Sequence, residues 1–252
     1  MIRAVLFDLG GTLHVCSSSE ERKLWFAGRL ISRLGEYGVS LPISPEGLAR
    51  QLEVNAERYK RDAEATLREL PPEAVWNDYY LREQNLGRDA LSPLAEELSF
   101  LYDYERVCNL RRPHLLDCMR ALRADGLRLG VISNILSRSI VPHFMAEYGL
   151  EDFMEVVLTS AGTGIRKPDA AIFHLAEEKM GLRPEEMAYV GDTLSRDVRG
   201  VRNAGWRLVI RIDSPNAARR DKGLREMGYR ADWEIQDLEE ISEIIRKENA
   251  RC

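Results

Sequence analysis

The sequence has few cysteines and no long apolar run. Its 252 residues include four cysteines, at positions 16, 108, 118 and 252, without CxxC spacing. This scatter argues against a disulfide framework or a cysteine-based zinc site and fits a reducing compartment. No apolar run approaches the roughly 20 residues that span a bilayer, and an apolar strand starts at Ile2, which leaves no room for a signal peptide. We therefore expect a cytoplasmic protein that does not bind membranes.

The sequence also lacks an excess of positive charge. Its 36 Lys and Arg residues stand against 41 Asp and Glu residues, which gives a net charge of −5. A nucleic-acid-binding surface needs basic patches, so we expect no nucleic-acid partner. Hydrophobic residues at 44% and charged residues at 31% are typical of a globular chain, here long enough for one large or two modest domains. Oligomeric state does not follow from these numbers.

Residues 2–13 form the stretch around which the rest of the chain is organised. They begin with a short apolar run rich in branched side chains, which is typical of a strand buried on both faces. The run ends at Asp8, and a turn containing Gly10 and Gly11 follows. Open α/β sheets place ligands at the carboxyl ends of central strands, and glycines there leave backbone N–H groups accessible to an anion. On these residues alone, a binding site and a turn without chemistry are both open.

Three later stretches have the same form, a strand followed by a polar or charged side chain. They are residues 127–134 with Ser133, residues 156–169 with Lys167, and residues 187–197 with Asp192 and Asp197. Helical patterns separate them, and strands that alternate with helices predict a parallel sheet with right-handed crossovers. We therefore expect these side chains to meet Asp8 at one edge of the sheet.

Four motifs in this order resemble the haloacid dehalogenase-like (HAD) hydrolase superfamily over the whole chain. Residues 8–12 match the family motif DxDGT except at Gly10, Ser133 matches the second motif, Lys167 the third, and residues 191–197 the fourth, GDxxxxD. The resemblance implies an α/β fold with a Rossmannoid parallel-sheet core. It also implies a Mg²⁺ cofactor and a small phosphorylated substrate.

The residues between the first and second motifs show only helical patterns. Apolar side chains recur at spacings of three and four, Ser44 and Pro45 mark a helix start, and Pro71 and Pro72 mark an end. We expect no strand from residue 13 to about residue 109. The predicted domains are an α/β core of residues 1–15 and 107–252 and a helical domain of residues 16–106. By resemblance, the helical domain is a type C1 cap that closes over the site.

The resemblance implies a role for each motif residue. Asp8 is the nucleophile that forms an aspartyl phosphate, and Ser133 and Lys167 support it as catalytic residues. The phosphate-binding groups are Ser133, Asn134, Lys167 and the backbone at Leu9 and Gly10. The Mg²⁺ ligands are Asp8, the Gly10 carbonyl, Asp192 and Asp197, with a direct and an indirect role of Asp197 both open.

Gly10 departs from the family pattern, which has an aspartate at this position. That aspartate protonates the leaving alcohol and then deprotonates the attacking water, and losing a general acid/base typically costs about 10²–10⁴ in rate. Glycine retains the backbone carbonyl through which the family residue binds the metal. The sequence therefore predicts a hydrolase that keeps its nucleophile, cradle and metal site but is slow because the usual proton carrier is absent.

Three explanations of Gly10 are open. Another group, such as His14, Glu20 or Glu21, carries the proton; or the substrate is an acyl or aryl phosphate whose leaving group needs no acid. Alternatively, the protein has largely lost hydrolysis and binds a phosphate compound or a protein partner. Dehalogenases of the superfamily need no metal, so the retained Asp192 and Asp197 argue against carbon–halogen chemistry.

Other basic residues are assigned smaller roles. A C–P hydrolase resembling phosphonoacetaldehyde hydrolase needs a desolvated Schiff-base lysine, for which the helical domain offers only Lys23 and Lys60. Lys60 lies in a polar run and is expected to be solvated, whereas Lys23 stays open. Three arginines near the motifs are expected to be solvated rather than to bind substrate: Arg138, Arg166 and Arg196.

Overall fold

The computed structural model describes residues 1–251, without the side chains of residues 216, 218 and 219; Cys252 lies outside the described residues. The strands are β1 (Ala4–Phe7), β2 (His14–Ser17), β3 (Cys108–Arg111), β4 (Arg128–Ser133), β5 (Met154–Thr159), β6 (Met187–Gly191), β7 (Leu208–Ile212) and β8 (Trp233–Ile235). The α-helices are α1 (Glu20–Glu36), α2 (Pro45–Thr66), α3 (Pro72–Ala74), α4 (Arg88–Leu91), α5 (Ala95–Glu105), α6 (Leu115–Ala124), α7 (Ile140–Tyr148), α8 (Ser160–Thr163), α9 (Ala170–Met180), α10 (Arg199–Ala204), α11 (Pro215–Arg220), α12 (Lys222–Glu226) and α13 (Glu240–Ala250). Short π-helical turns cover Val75–Tyr80 and Leu194–Val198, and 3₁₀ turns cover Arg82–Gln84, Ser92–Leu94, Glu151–Phe153 and Pro184–Glu186.

The larger sheet is parallel throughout and has β1 near its centre. Within residues 1–251, its six strands follow the order β5–β4–β1–β6–β7–β8. The predicted α/β fold with a parallel sheet is thus confirmed. Since β1 is flanked by strands on both sides, its carboxyl end lies in the middle of the sheet edge.

Alternation along β1 explains why this strand is wholly buried. Val5 and Phe7 join an apolar cluster under α6, α7 and α13, while Ala4 and Leu6 join a second cluster under α9 and α10. Burying a side chain the size of Phe7 contributes about 1.5–3 kcal/mol. The two clusters fix β1 from both faces and so fix the position of the residue that follows it.

The helical insert, residues 18–107, has an apolar core of its own. Ser19 and Ser44 accept hydrogen bonds from the first turns of α1 and α2, which confirms Ser44 as a helix start. Trp76 and Tyr80 are buried in this core. Trp76 also donates a 2.9 Å hydrogen bond from Nε1 to the hydroxyl of Ser99, which satisfies its polar atom.

The expectation of no strand between residues 13 and 109 is wrong. β2 pairs antiparallel with β3, with His14 opposite Arg111 and Ser17 opposite Cys108. This ribbon carries the chain into and out of the helical insert, so the predicted domain boundary after residue 15 cuts β2. A four-residue strand whose partner follows the whole insert has no local periodicity that identifies it.

No helix within residues 1–251 combines the length and the apolar character needed to cross a membrane.

Candidate active site

The candidate site lies at the carboxyl edge of the sheet, where three neighbouring strands end. The register of β1 with β4 and β6 brings Asp8, Ser133 and Asp192 to the same edge. The backbone N–H of Asp8 continues the ladder by donating to the carbonyl of Val190 at 2.9 Å. The nucleophile candidate is therefore held by sheet hydrogen bonding rather than by a free loop.

One cavity of about 580 Å³ opens above this edge. Its lining includes most of the residues that the sequence predicts for the site: Asp8, Leu9, Gly10, Ser133, Asn134, Lys167 and Asp192. Asp197 lies behind Lys167 and contacts it directly. The fold thus brings together all of the residues assigned from the four motifs.

Asp8 is oriented by two donors on the same oxygen. Ser133 Oγ donates to Asp8 Oδ1 at 3.0 Å, and Lys167 Nζ lies 2.9 Å from the same atom. Burial raises the pKa of the Asp8 carboxyl, and the charge of Lys167 opposes that rise. The carboxylate therefore depends on nearby positive charge to remain ionised.

Lys167 is buried and makes contact through all three of its donors. Nζ contacts Asp8, Asp197 Oδ1 at 2.6 Å and the hydroxyl of Tyr189 at 2.7 Å. Burial by itself lowers the pKa of this ammonium group, but Asp197 and Asp8 outweigh that effect and raise the pKa above its ordinary value. The two carboxylates thus favour the charged form of Lys167 directly beside Asp8.

Asn134 fixes the backbone of Lys167. Its side-chain amide donates to the Lys167 carbonyl at 2.9 Å and accepts from the Lys167 N–H at 2.9 Å. The side-chain amide is therefore engaged with Lys167, and a phosphate contact of Asn134 stays a prediction for which the main-chain N–H is the remaining donor. The pair ties the end of β4 to the loop that carries the lysine.

Three carboxylates meet at the edge of the cavity. Asp8, Asp192 and Asp197 each offer one oxygen within 4.8 Å of the others. Burial, followed by the charges of Asp197 and Asp8, raises the pKa of Asp192 to about 8. The pKa of Asp197 is lowered although burial opposes this, because Lys167 and Thr193 stabilise its charged form. One lysine does not balance three carboxylates, so the cluster fits a hard divalent cation such as Mg²⁺.

Two glycines permit this close packing of carboxylates. Gly11 has a φ of +89°, and a Cβ there would lie 2.0 Å from Asp192 Oδ2. A Cβ on Gly191 would lie 2.4 Å from the Cβ of Asp197. Both positions must lack a side chain if the three carboxylates are to approach one another.

Gly10 is under no such constraint. A Cβ at this position would lie 3.6 Å from Cys16 Sγ, which is ordinary van der Waals contact, and no closer atom stands in its way. Burial and the neighbouring carboxylates Asp8 and Asp192 raise the pKa of the Cys16 thiol to about 12. A side chain at position 10 would therefore meet a protonated thiol.

The proton carriers suggested by the sequence are poorly suited to the task. His14 lines the cavity but is buried against Phe144, and its Nδ1 lies 3.0 Å from the Tyr148 hydroxyl. Burial lowers the pKa of His14 to about 4. The ring is therefore neutral at pH 7 and cannot act as an imidazolium acid. Glu20 and Glu21 are exposed in the first turn of α1 and do not line the cavity.

The two lysines considered for Schiff-base chemistry are ion-paired. Lys23 lines the cavity, but its Nζ lies 2.7 Å from Glu20 and 2.6 Å from Glu53. Hydrogen bonds to these glutamates raise the pKa of Lys23, which is opposite to what an amine nucleophile requires. Lys60 pairs with Glu57 at 3.1 Å on the surface of α2 and does not line the cavity.

The expectation that Arg166 and Arg196 are solvated is wrong, whereas Arg138 is exposed as predicted. Arg166 is buried in an ion pair with Glu69, which also accepts hydrogen bonds from Tyr59 and Ser160. Arg196 lines the cavity and pairs with Glu64 of α2. Both arginines thus join the α/β part of the chain to the helical insert.

The insert also holds the loop that follows β4. Asp103 Oδ2 accepts from the backbone N–H groups of Leu136 and Ser137 at 3.0 and 2.9 Å. Burial raises the pKa of Asp103 to about 7. Sequence reasoning missed Asp103, Glu69 and Tyr189; only Tyr189 carried a signal, since a tyrosine in a buried strand needs a partner for its hydroxyl.

Comparisons with known proteins agree with this geometry. A family model described as haloacid dehalogenase-like hydrolase matches residues 2–205. The chain is 28% identical to glyceraldehyde 3-phosphate phosphatase of Methanopyrus kandleri, with 98% of each protein covered. It is 31% identical to phosphoserine phosphatase of Thermus thermophilus, covering 80% of this chain and 92% of that protein. The fold resembles that of 2-haloacid dehalogenase from Pseudomonas syringae pv. Tomato DC3000, with a TM-score of 0.65, 22% identity, and 98% and 99% of the two chains covered.

Proposed function

The chain belongs to the haloacid dehalogenase-like hydrolase family, and from this premise we propose that it is a Mg²⁺-dependent phosphatase of a small phosphorylated metabolite. The observation that carries the proposal is the convergence of Asp8, Ser133 and Lys167 with two further carboxylates at one sheet edge. The phosphatase names of the relatives support the same reaction class. The helical insert acts as the cap that covers the reacting groups.

Asp8 is the proposed nucleophile. Its carboxylate attacks phosphorus, an oxygen–phosphorus bond forms, and the bond to the leaving alcohol or phenol breaks with its electron pair on the leaving oxygen. Water then attacks the aspartyl phosphate, which releases inorganic phosphate and restores Asp8. Lys167 and Ser133 orient Asp8 and supply positive charge and a hydroxyl donor near the phosphoryl oxygens.

Mg²⁺ is the proposed cofactor, held by Asp8, Asp192 and the Gly10 carbonyl. When bound, the ion offsets negative charge between the phosphate and the nucleophile. Asp197 has Oδ1 on Lys167 and Oδ2 on Thr193, so we place it as the residue that positions the lysine and the following turn. The chemistry of the cluster, three carboxylates beside one lysine with two of the carboxylates left for the ion, supports this assignment.

Gly10 determines which leaving groups are cleaved readily. Neither His14 nor the exposed glutamates of α1 can deliver a proton to the leaving oxygen at neutral pH. Substrates whose leaving group departs as a stable anion, such as acyl or aryl phosphates, therefore react faster than alkyl phosphates. The ion-paired state of Lys23 argues against C–P hydrolysis through a Schiff base.

The test is hydrolysis of p-nitrophenyl phosphate and ethyl phosphate by wild type and Asp8→Asn, with Mg²⁺ and with a chelator. We expect wild type to cleave the aryl ester faster, and we expect chelation or Asp8→Asn to reduce both rates to background. Asp117→Asn is the matched control, because Asp117 has the same side chain but is exposed on α6. Trapping of a phosphorylated chain at Asp8 by mass spectrometry identifies the intermediate.

Turnover by Asp8→Asn at a rate near that of wild type would overturn the covalent route. Silence of wild type on every phosphate, together with retained Mg²⁺ binding, would favour a protein that binds a phosphate compound or a partner without hydrolysing it. The lack of a proton carrier beside Gly10 is the observation that favours this second function.

A further inference from the structure

The cavity contains more positive charge than the phosphate cradle uses. Five basic side chains line it: Lys23, Arg106, Lys167, Arg196 and Arg220. Three carboxylates line it as well: Asp8, Asp103 and Asp192. Lys167 belongs to the cradle, so four basic side chains of the lining are not used by it.

Arg106 differs from Lys23 and Arg196 in having no counter-ion, and from Arg220 in being partly buried. Lys23 is paired with Glu20 and Glu53, and Arg196 is paired with Glu64, whereas Arg220 is an exposed side chain at the end of α11. Among residues 1–251 as described, Arg106 has no carboxylate within ion-pair distance, and its Nε is buried without an acceptor. A buried donor without an acceptor is costly, so this guanidinium is suited to accept a ligand.

The position of Arg106 is fixed on both sides. Its guanidinium lies 4.3 Å from the centre of the Tyr102 ring, a cation–π contact that orients the plane. The carbonyls of its neighbours Glu105 and Val107 accept hydrogen bonds from Arg22, at 2.7 and 3.5 Å. The guanidinium is thereby held in place while its hydrogen-bond donors stay available.

The nearest acid does not neutralise this group. Asp103 precedes Arg106 by one helical turn, but its Oδ2 accepts from two backbone N–H groups of the loop after β4. Asp103 makes no ion pair with Arg106 in the described residues. A planar guanidinium presents paired N–H donors that match a carboxylate or a phosphate.

From these observations we infer that the substrate carries a second anionic group, a carboxylate or a second phosphate, and that Arg106 binds it. The phosphate that reacts lies on the core side of the cavity at Asp8 and Lys167, and the second anion lies on the insert side. This inference rests on the proposed function for the identity of the reacting phosphate. The binding preference itself does not depend on turnover.

The test compares 3-phosphoglycerate with glycerol 3-phosphate, which differ in a carboxylate and a hydroxymethyl group. Binding of each to Asp8→Asn is measured by calorimetry in the presence of Mg²⁺, and propane-1,3-diyl bisphosphate forms a third arm. We expect 3-phosphoglycerate or propane-1,3-diyl bisphosphate to bind at least about tenfold more tightly than glycerol 3-phosphate, because each can form a charge-assisted bidentate contact through its second anionic group. The tighter of the two identifies the second anion as carboxylate or phosphate.

Arg106→Gln in the Asp8→Asn background should abolish this preference, and Arg106→Lys should restore part of it. Arg29→Gln is the matched control, because Arg29 lies on α1, pairs with Glu105 at 3.6 Å and does not line the cavity. It should leave the preference unchanged.

Equal binding of all three ligands, no measurable binding of any, or a preference that survives Arg106→Gln would overturn the inference. These results are separate from the fate of the proposed function, which is decided by hydrolysis of p-nitrophenyl phosphate and ethyl phosphate by wild type and Asp8→Asn. In wild type that does turn over, the same preference should appear in kcat/KM and disappear in Arg106→Gln.

Discussion

The two walls of the cavity are built in different ways. The core wall consists of Asp8, Ser133 and Asp192 at strand ends and Lys167 in the loop between α8 and α9, and these groups are linked by hydrogen bonds and charge interactions. The insert wall consists of Lys23, Tyr102, Asp103 and Arg106, and its charged groups are tied to the scaffold or left without a partner. The core wall therefore holds the candidate nucleophile and its neighbours in fixed positions, whereas the insert wall has groups that are available to contact the rest of a ligand.

Comparison of the two walls shows that the site lacks a proton carrier. A set of side chains held by a parallel sheet is preorganised for one reaction, since each group is fixed by two or more partners. The omission on the core wall is the proton carrier at Gly10; on the insert wall, burial raises the pKa of Asp103 to about 7, but its Oδ2 holds the backbone of the loop after β4. The site therefore combines strong positioning with weak acid–base assistance.

Gly10→Asp is the substitution that we expect to change activity most, because it adds the missing general acid to the core wall. A side chain there begins in ordinary contact with Cys16, and Gly10 does not have the positive φ of Gly11, so the backbone can accept it. Because a positioned general acid contributes about 10²–10⁴ in rate, turnover of ethyl phosphate should rise toward that range. Turnover of p-nitrophenyl phosphate should rise far less, and the ratio of the two kcat/KM values is the measurement.

Gly10→Asn is the matched control for that prediction. It has nearly the same volume and the same steric effect on Cys16, but it cannot carry the proton. An equal gain in both variants would assign the effect to packing, and no gain in Gly10→Asp would show that acid–base assistance already comes from elsewhere.

The second prediction concerns the buried ion pair between Glu69 and Arg166, which joins the helical insert to the α/β core. Glu69 of the insert accepts hydrogen bonds from Arg166, Ser160 and Tyr59, and the pair with Arg166 is almost entirely buried. Glu69→Gln removes the counter-charge of a buried arginine, which typically costs about 3–5 kcal/mol. We expect the free energy of unfolding, measured by urea titration, to fall by that amount.

Glu57→Gln serves as its control, because Glu57 forms a comparable pair with Lys60 on the exposed surface of α2. Its effect should stay within about 1 kcal/mol. If Glu69→Gln costs no more than Glu57→Gln, the buried pair does not join the insert to the core in the way that the structure suggests.

The sequence was sufficient for the core wall because each of its residues follows a recognisable strand. The apolar runs before Asp8 and before Asp192 each indicate where a strand ends. In a parallel sheet, these carboxyl ends lie at the same edge. The resemblance to the family motifs assigns Ser133 and Lys167, and the fold places both within 3.0 Å of Asp8.

The insert wall and the connections between walls were not predictable in this way. Glu69 and Arg166 are 97 positions apart, and charged residues in polar loops are ordinarily solvated, so nothing local indicates that they pair in a buried site. The β2–β3 ribbon could not be predicted for the same reason, since pairing across a long insert produces no recognisable sequence pattern in either short strand. Arg106 could not be separated from other surface arginines until Tyr102 and Arg22 were placed beside it.

The last prediction uses pH to measure how strongly the core wall depends on a cation. In the metal-free protein the pKa of Asp192 is raised to about 8, whereas an unfolded aspartate titrates near 3.8. Between these values the unfolded chain has released the proton and the folded chain retains it, so stability falls as pH rises. Because burial lowers the pKa of His14 from 6.5 to about 4, that residue makes stability rise with pH up to about 6.5, and the window should begin above it.

Across pH 6.5 to 8, a single retained proton corresponds to roughly 1–2 kcal/mol of lost stability, or a few degrees in Tm. Asp103, with its pKa near 7, adds to the same loss, so Asp192→Asn is needed to isolate the contribution of Asp192. We expect a shallower decline in Tm for Asp192→Asn than for wild type in chelator, and we expect Mg²⁺ to raise wild-type Tm more at pH 8 than at pH 6.5. Parallel slopes in the two proteins, or an equal Mg²⁺ effect at both pH values, would mean that the carboxylate cluster is balanced without a cation. The core wall would then lack two of the groups that phosphoryl transfer needs, a general acid at position 10 and a metal ion at the carboxylate cluster.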